Sequence, residues 1–187
     1  MAKNRKPKTV LYRRKREGKT NYPTRLKLLL SGKLRVAVRL TNNKVIGQVI
    51  KFTTTGNKVL VAIDSSSLKK FGWNYSGKNF PAAYLVGLLL GKKSVAAGHT
   101  EGILDTGSRT PVRGGKLFSF LKGLKDSGFV IPCDESIFPS EERIRGDHIG
   151  TYAKSAKESQ FTKYLKNNLK PEDMSKLFDQ VKEKILQ

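Results

Sequence analysis

The chain has 187 residues with 37 Lys or Arg against 15 Asp or Glu, a formal net charge of +22, and self-repulsion on that scale disfavours a compact protein without a polyanionic partner. A hydrophobic fraction of 37%, with nine Phe, six Tyr and one Trp, still supports a core. No run of about 18 apolar residues is available to span a bilayer, no apolar stretch behind the N-terminus makes a secretory signal, and the lone Cys133 makes no internal disulfide. The expectation is an intracellular, reducing setting with no membrane partner.

The charge is uneven along the chain. Residues 1–33 hold 12 basic and 1 acidic residue, residues 34–150 hold 17 and 9, and residues 151–187 hold 8 and 5. The stretch "TVLYRRKREGKTNYPTR", Thr9 to Arg25, has only Val10 and Leu11 as aliphatic side chains, too little to offset the entropy of ordering it. Residues 1–24 therefore read as an irregular basic arm, with Pro7, Gly18 and Pro23 opposing a continuous helix. After it, "TRLKLLLSGK" predicts a short helix ending at Gly32, with Leu26, Leu29 and Leu30 on one face.

At Leu34 the period changes to two. Leu34, Val36, Val38 and Leu40 fall on one side of a strand, and Arg35, Ala37, Arg39 and Thr41 on the other, predicting a half-buried strand with an open cationic face. "TNNK" is a tight turn, "VIGQVIKF" the returning strand, "TTTGNK" a second turn and "VLVAID" a third strand, which together make an antiparallel meander. A short helix is expected over Ser65 to Phe71. A longer one starts from Asn79 as N-cap, takes Pro81 in its first turn and runs to about Ala97, apolar nearly all round and so buried against the sheet.

"GILDTG" predicts a fourth strand, and the strand–helix–strand order puts it in the same sheet. "GGKLFSFLKGLKDSG" predicts an amphipathic helix burying Leu117, Phe118, Leu121 and Leu124, capped by Gly128. Pro132 to Pro139 reads as loop. In the tail, Pro171 opens a helix with a stripe of Met174, Leu177, Phe178, Val181 and Ile185. The fold class is α/β of the α+β kind: a mixed sheet of a three-strand antiparallel meander plus a further strand, helices on one face, a basic N-terminal arm and a helical C-terminal extension.

Phosphate-binding chemistry is the strongest signal. On the arm, Arg13, Arg14, Arg16, Lys19, Arg25 and Lys27 suit phosphates, Thr20 adds a hydroxyl, and Tyr12 and Tyr22 suit stacking on unpaired bases. On the first hairpin, Arg35, Arg39, Asn42, Lys44 and Gln48 would share the open face, against the plainer reading of an ordinary polar sheet surface. "GSRTPVRGGK" places Arg109, Arg113 and Lys116 just before a helix N-terminus, which favours anions but lacks the spacing of a nucleotide-hydrolysing loop. Lys78 and Asn79 close the aromatic loop "FGWNYSGKN", whose Trp73 fits a core position as well as a stacking one.

Catalysis has little support. Asp64 and Asp105 both end predicted strands, and such a pair could serve a metal-dependent nuclease, yet no third carboxylate accompanies them and capping or salt bridging explains each. His99, His148 and Cys133 stand at no metal-ligand spacing. No cofactor or metal and no enzymatic role are expected.

The segments "RRKREGKTNYPTRLKLLLSGKLRVAVRLTNNKVIGQV", "GKNFPAAYLVGLLLG", "KLFSFLKGLKDSG" and "PSEERIRGDHI", in that order, resemble the large-subunit ribosomal protein family that binds 5S rRNA, the L-eighteen family, L-five in eukaryotes. The archaeal and eukaryotic branch fits best. The resemblance implies a cytoplasmic ribosomal protein that tethers 5S rRNA to the large-subunit rRNA in the central protuberance, beside neighbouring large-subunit proteins. It further implies that Arg13 to Arg25 belongs to the 5S-binding stretch, that Arg35, Arg39, Asn42 and Gln48 follow the sheet-face pattern, and that Arg143 and Arg145 of "ERIRGDHI" touch rRNA or a neighbouring protein. The expected division is an RNA-binding arm over 1–33, an α/β core over 34–132 and a helical extension over 133–187. A basic nucleic-acid-compacting protein remains the other non-enzymatic reading.

Overall fold

The computed structural model describes residues 9–155 and 158–187; the first eight residues of the expected arm lie outside them. Strands β1 (Arg35–Leu40), β2 (Val45–Thr53) and β3 (Gly56–Asp64) form the expected meander. A short β4 (Ile103–Asp105) joins it, giving a mixed sheet in the order β3-β2-β1-β4. β1 and β2 pair antiparallel from Arg35 opposite Ile50 to Leu40 opposite Val45, and β4 runs parallel to β1 with Asp105 beside Ala37.

Alternation explains what each sheet face does. Val36, Val38, Val45 and Val49 are buried on the core face. There, Gly47 leaves room for the Phe120 ring, whose nearest atoms would stand 2.8 Å from an added Cβ.

The core face is covered by α3 (Phe80–Ala96) and α4 (Lys116–Asp126). Asn79 caps α3 as the sequence predicts, its side-chain oxygen accepting from the Ala82 N–H at 3.0 Å. The four expected apolar positions of α4 are all buried, joined by Phe120, and Gly128 just beyond its end takes φ 88°. The two helices touch backbone to backbone: a Cβ at Gly87 would run into the Phe120 carbonyl, and one at Gly123 into the Tyr84 carbonyl. Only glycine permits so close a crossing.

Beyond α3 lie α5 (Glu141–Arg145), α6 (Asp147–Ser155), α7 (Thr162–Lys166) and α8 (Met174–Leu186). Ile144 of α5 and Met174, Phe178, Val181 and Ile185 of α8 join the same hydrophobic cluster as the sheet, α3 and α4. The predicted α8 stripe is thus the face that closes over α3.

Two expectations are corrected. The arm is not irregular throughout its described part: it holds α1 (Arg13–Arg16), and α2 (Tyr22–Leu30), the short helix expected from Thr24, starts two residues earlier. Asn21 accepts from the Thr24 N–H and Pro23 occupies the first turn of α2, where its missing N–H costs nothing. Neither helix has a buried residue, and on the leucine face of α2 Leu29 is half-buried while Leu26 and Leu30 stay out, at 60% and 78% exposure. The second face of β1 is also not an open row of cations, because Arg35 and Ala37 on it are buried, at 3% and 1% exposure.

Candidate RNA-binding surface

On the sheet face opposite the helices, Arg35 lies opposite Ile50 and Arg39 opposite Ile46, with Gln48 opposite Ala37 between them. The parallel pairing of β4 brings Asp105 to this row. Its carboxylate accepts from the Arg35 guanidinium at 3.0 Å, and the two side chains are only 4% and 11% exposed. Arg35 also donates to the Asn57 side chain at 2.9 Å, and Asn57 accepts in turn from Arg25 of α2 at 3.2 Å. The arm is thereby tied to the sheet through a bridging carboxamide that no sequence period marks.

Burial lowers the Arg35 pKa from the usual arginine value; the Asp105 charge and hydrogen bond oppose this, while nearby Arg25 and Arg39 push the same way as burial. The guanidinium nonetheless keeps its proton. Arg35 therefore acts here as a buried framework charge, not as an exposed one.

Arg39 is different. Its side chain is 47% exposed, held by donation to the Val38 and Asp105 carbonyls at 2.9 and 3.2 Å, and it lies against Gly107, where an added Cβ would meet the guanidinium carbon at 3.2 Å. Between arm and sheet a depression of about 260 Å³ collects the basic groups of Arg14, Lys19, Arg25, Arg35 and Arg39 with Thr20 and Gln48, against the single carboxylate of Asp105. Seven residues singled out in the sequence therefore converge from three separate segments.

Past the end of β1, a second depression of about 360 Å³ is lined by Asn42, Lys78, Arg109 and Lys116 and holds no carboxylate. The N–H groups at the start of α4 open beside it, since Gly115 caps that helix without a side-chain bond. Arg39 beside Gly107 and Arg109 two residues on join the depressions into one cationic band.

Other expected residues stand apart from this band or are engaged. Tyr12 and Tyr22 lie together, ring centroids 5.4 Å apart, flanking the exposed Arg13 and Arg16. Lys19 pairs with Glu17 at 2.8 Å, and Arg14 donates to Thr20 at 2.8 Å. Lys27 and Arg113 are exposed. Lys44 pairs with Asp64 at 3.1 Å; burial raises the Asp64 pKa, but the Lys44 hydrogen bond and charge outweigh it and hold it below the ordinary value. The Asn79 amide is spent as a helix cap. On α5, Arg143 lies over the Phe80 ring at 4.7 Å and Arg145 pairs with Asp179 at 2.5 Å; neither reaches the band.

The nuclease reading loses its geometry. Asp64 ends β3 and Asp105 ends β4, at opposite edges of the sheet, so three strand spacings, about 14 Å, separate their strands. Among the described residues no group of three or more His, Cys, Asp or Glu is placed to hold a metal ion, and no helix is long and apolar enough to cross a membrane.

Residues 6–101 match the family described as "Ribosomal large subunit proteins 60S L5, and 50S L18". Two relatives, both described as large ribosomal subunit protein uL18, come from Methanosphaera stadtmanae and Methanothermobacter thermautotrophicus. Each is 44% identical to this chain over 180 residues, covering 94% of this chain and 93% and 94% of theirs respectively.

Proposed function

This chain belongs to the large-subunit ribosomal protein family just described, a structural constituent of the ribosome, and from that premise we propose that it binds 5S rRNA and tethers it to the large-subunit rRNA in the central protuberance of cytoplasmic ribosomes. The observation that carries the reading is the band itself, in which Arg14, Lys19, Arg25 and Arg39 pass into Lys78, Arg109 and Lys116, with Asp105 the one carboxylate in its lining and Glu17 paired to Lys19 at its rim.

In this reading the arm captures phosphates first, because its cations are exposed and close in sequence, and the band then fixes the register of the RNA backbone. Tyr12 and Tyr22 stack on unpaired bases. Arg35 contributes through Asp105 and Asn57 by holding the face rigid. Residues 1–33 are the RNA-binding arm, 34–132 the platform, and 133–187 an extension whose outer surface meets neighbouring ribosomal proteins.

The test is a gel-shift titration of the purified chain with 5S rRNA against an equal mass of duplex DNA at about 0.15 M salt, where purely electrostatic binding weakens. A marked preference for 5S rRNA, lost on deleting residues 1–25 while circular dichroism shows the remainder folded, is the expected result. Equal affinity for both nucleic acids would favour the compaction reading, and undiminished affinity after truncation would end the proposed role of the arm.

A further inference from the structure

Next to the cationic band, on the far side of the β1–β2 turn, lies a cleft of about 760 Å³ between the 74–78 loop and the segment around α7. Its lining is unusual for so basic a protein. Four carboxamides face it, Asn43, Asn74, Gln160 and Asn167, together with the half-buried rings of Phe161 and Tyr164 and the edge of the buried Tyr75, and among the described side chains Lys78 is its only charged one. Of all these, only Lys78 belongs to the band.

The walls are held in place before any ligand arrives. Tyr75 donates to the Lys170 carbonyl at 2.5 Å, and the Ser76 N–H donates to the Tyr164 hydroxyl at 3.2 Å, so loop and C-terminal segment are cross-tied. Trp73 Nε1 bonds the Ser76 carbonyl at 3.3 Å. The rings continue one another: Tyr75 meets Tyr164 edge-on at 5.3 Å, and Tyr164 stacks with Phe161 at 6.1 Å and 24°.

Aromatic surface with carboxamides is the chemistry that takes up an unstacked base: rings for its faces, amides for its hydrogen-bonding edge. The volume suits a nucleotide. Lys78 lines both this cleft and the second depression of the band, so a backbone following the band reaches the cleft with a phosphate beside that lysine. We propose that the cleft receives one unpaired nucleotide splayed from the bound RNA, its base against the Tyr75–Tyr164–Phe161 wall and its phosphate at Lys78. This rests on the RNA-binding reading above and adds a base-contacting site built by the C-terminal segment.

The test uses the full chain bound to total large-subunit rRNA, 5S rRNA included, irradiated with short-wave ultraviolet light and mapped by peptide mass spectrometry. Nucleotide adducts are expected on Phe161 or Tyr164 as well as on Tyr12 or Tyr22 of the arm. The Phe161→Ala chain should bind roughly tenfold more weakly. The Asn74→Ala/Asn167→Ala chain, altered only at exposed amides, should show a similar loss with unchanged circular dichroism. Adducts confined to the arm, with full affinity in both variants, would overturn the cleft and leave the arm's role standing; no adduct anywhere would overturn both. A neighbouring protein's peptide cross-linked into the cleft in intact large subunits would also overturn it.

Discussion

Residues 1–116 carry 25 Lys or Arg against 4 Asp or Glu, whereas residues 117–187 carry 12 against 11. In the structure these become two surfaces with different work. The arm, the outward sheet face and the loop before α4 form the cationic band. The later segment, apart from its contribution to the cleft, spends its charges on itself: Lys122 pairs with Glu141, Lys125 with Glu135, and Arg145 with Asp179. Excess charge of one sign is tolerated where a polyanion will neutralise it, while balanced charge suits a surface that closes a core and meets solvent or protein. High net charge is thus a property of one region, while the hydrophobic core draws on both: the sheet and α3 come from the first, and α4 and α8 from the second.

The largest test of that division removes equal charge from each side. Changing Arg13, Arg14, Arg16 and Lys19 to Ala should weaken 5S rRNA binding about a thousandfold and lower the slope of log affinity against log salt by about 3. Changing Lys125, Lys154, Lys176 and Lys184 to Ala should alter affinity by less than about threefold on the same scale. Filter binding across a salt series measures both, and comparable losses would erase the distinction.

Next in size is the ion pair buried within the outward sheet face. Asp105→Ala strands the Arg35 guanidinium in a site with 4% side-chain exposure, which should cost about 3 kcal/mol and lower Tm by roughly 10 °C. Replacing both partners, as Arg35→Met with Asp105→Leu, should recover stability to within about 1 kcal/mol. RNA affinity should stay within about threefold in that double variant if Arg35 is framework; a collapse of affinity in a folded double variant would make it a direct RNA contact.

On the helical side, Gly87→Ala should cost about 2–3 kcal/mol by forcing α3 away from α4, read by urea denaturation, with RNA affinity of the folded fraction unchanged. The smallest effect belongs to Tyr84, whose hydroxyl donates to Asp126 at 2.6 Å. Burial first, and then the Asp126 carboxylate, push its pKa well above the ordinary 10.0. Because the folded value is raised, the contribution of the neutral phenol is complete below about pH 10 and is lost as pH climbs beyond it. The advantage of the wild-type chain over Tyr84→Phe, about 1 kcal/mol at neutral pH, should therefore shrink only above pH 10, as urea midpoints at several alkaline pH values would show.

The meander, the buried helix from Asn79, the α4 stripe and the α8 stripe were legible because each is written in local period and capping residues. The contents of the outward sheet face were not. Alternation put Arg35 and Arg39 on the same side of β1, yet one is buried and the other 47% exposed: β4 beside β1 brings Asp105 to both, its carboxylate bonding Arg35 at 3.0 Å while Arg39 takes its backbone carbonyl at 3.2 Å. Asn57, which links arm to sheet, is the second residue of β3, where the sequence reads as the turn "TTTGNK", and the carboxamides of the cleft come from three distant segments.

From its sequence alone this protein had its secondary elements, its segregated charge and its kinship to a ribosomal family decided, because propensity, periodicity and charge density are properties of neighbouring residues. Which cations stay free to meet a phosphate was left to the tertiary structure. A strand's neighbours in the sheet and the carboxylates they carry are set by packing across long sequence separations, and in a low-dielectric interior one such partner turns a candidate contact into framework.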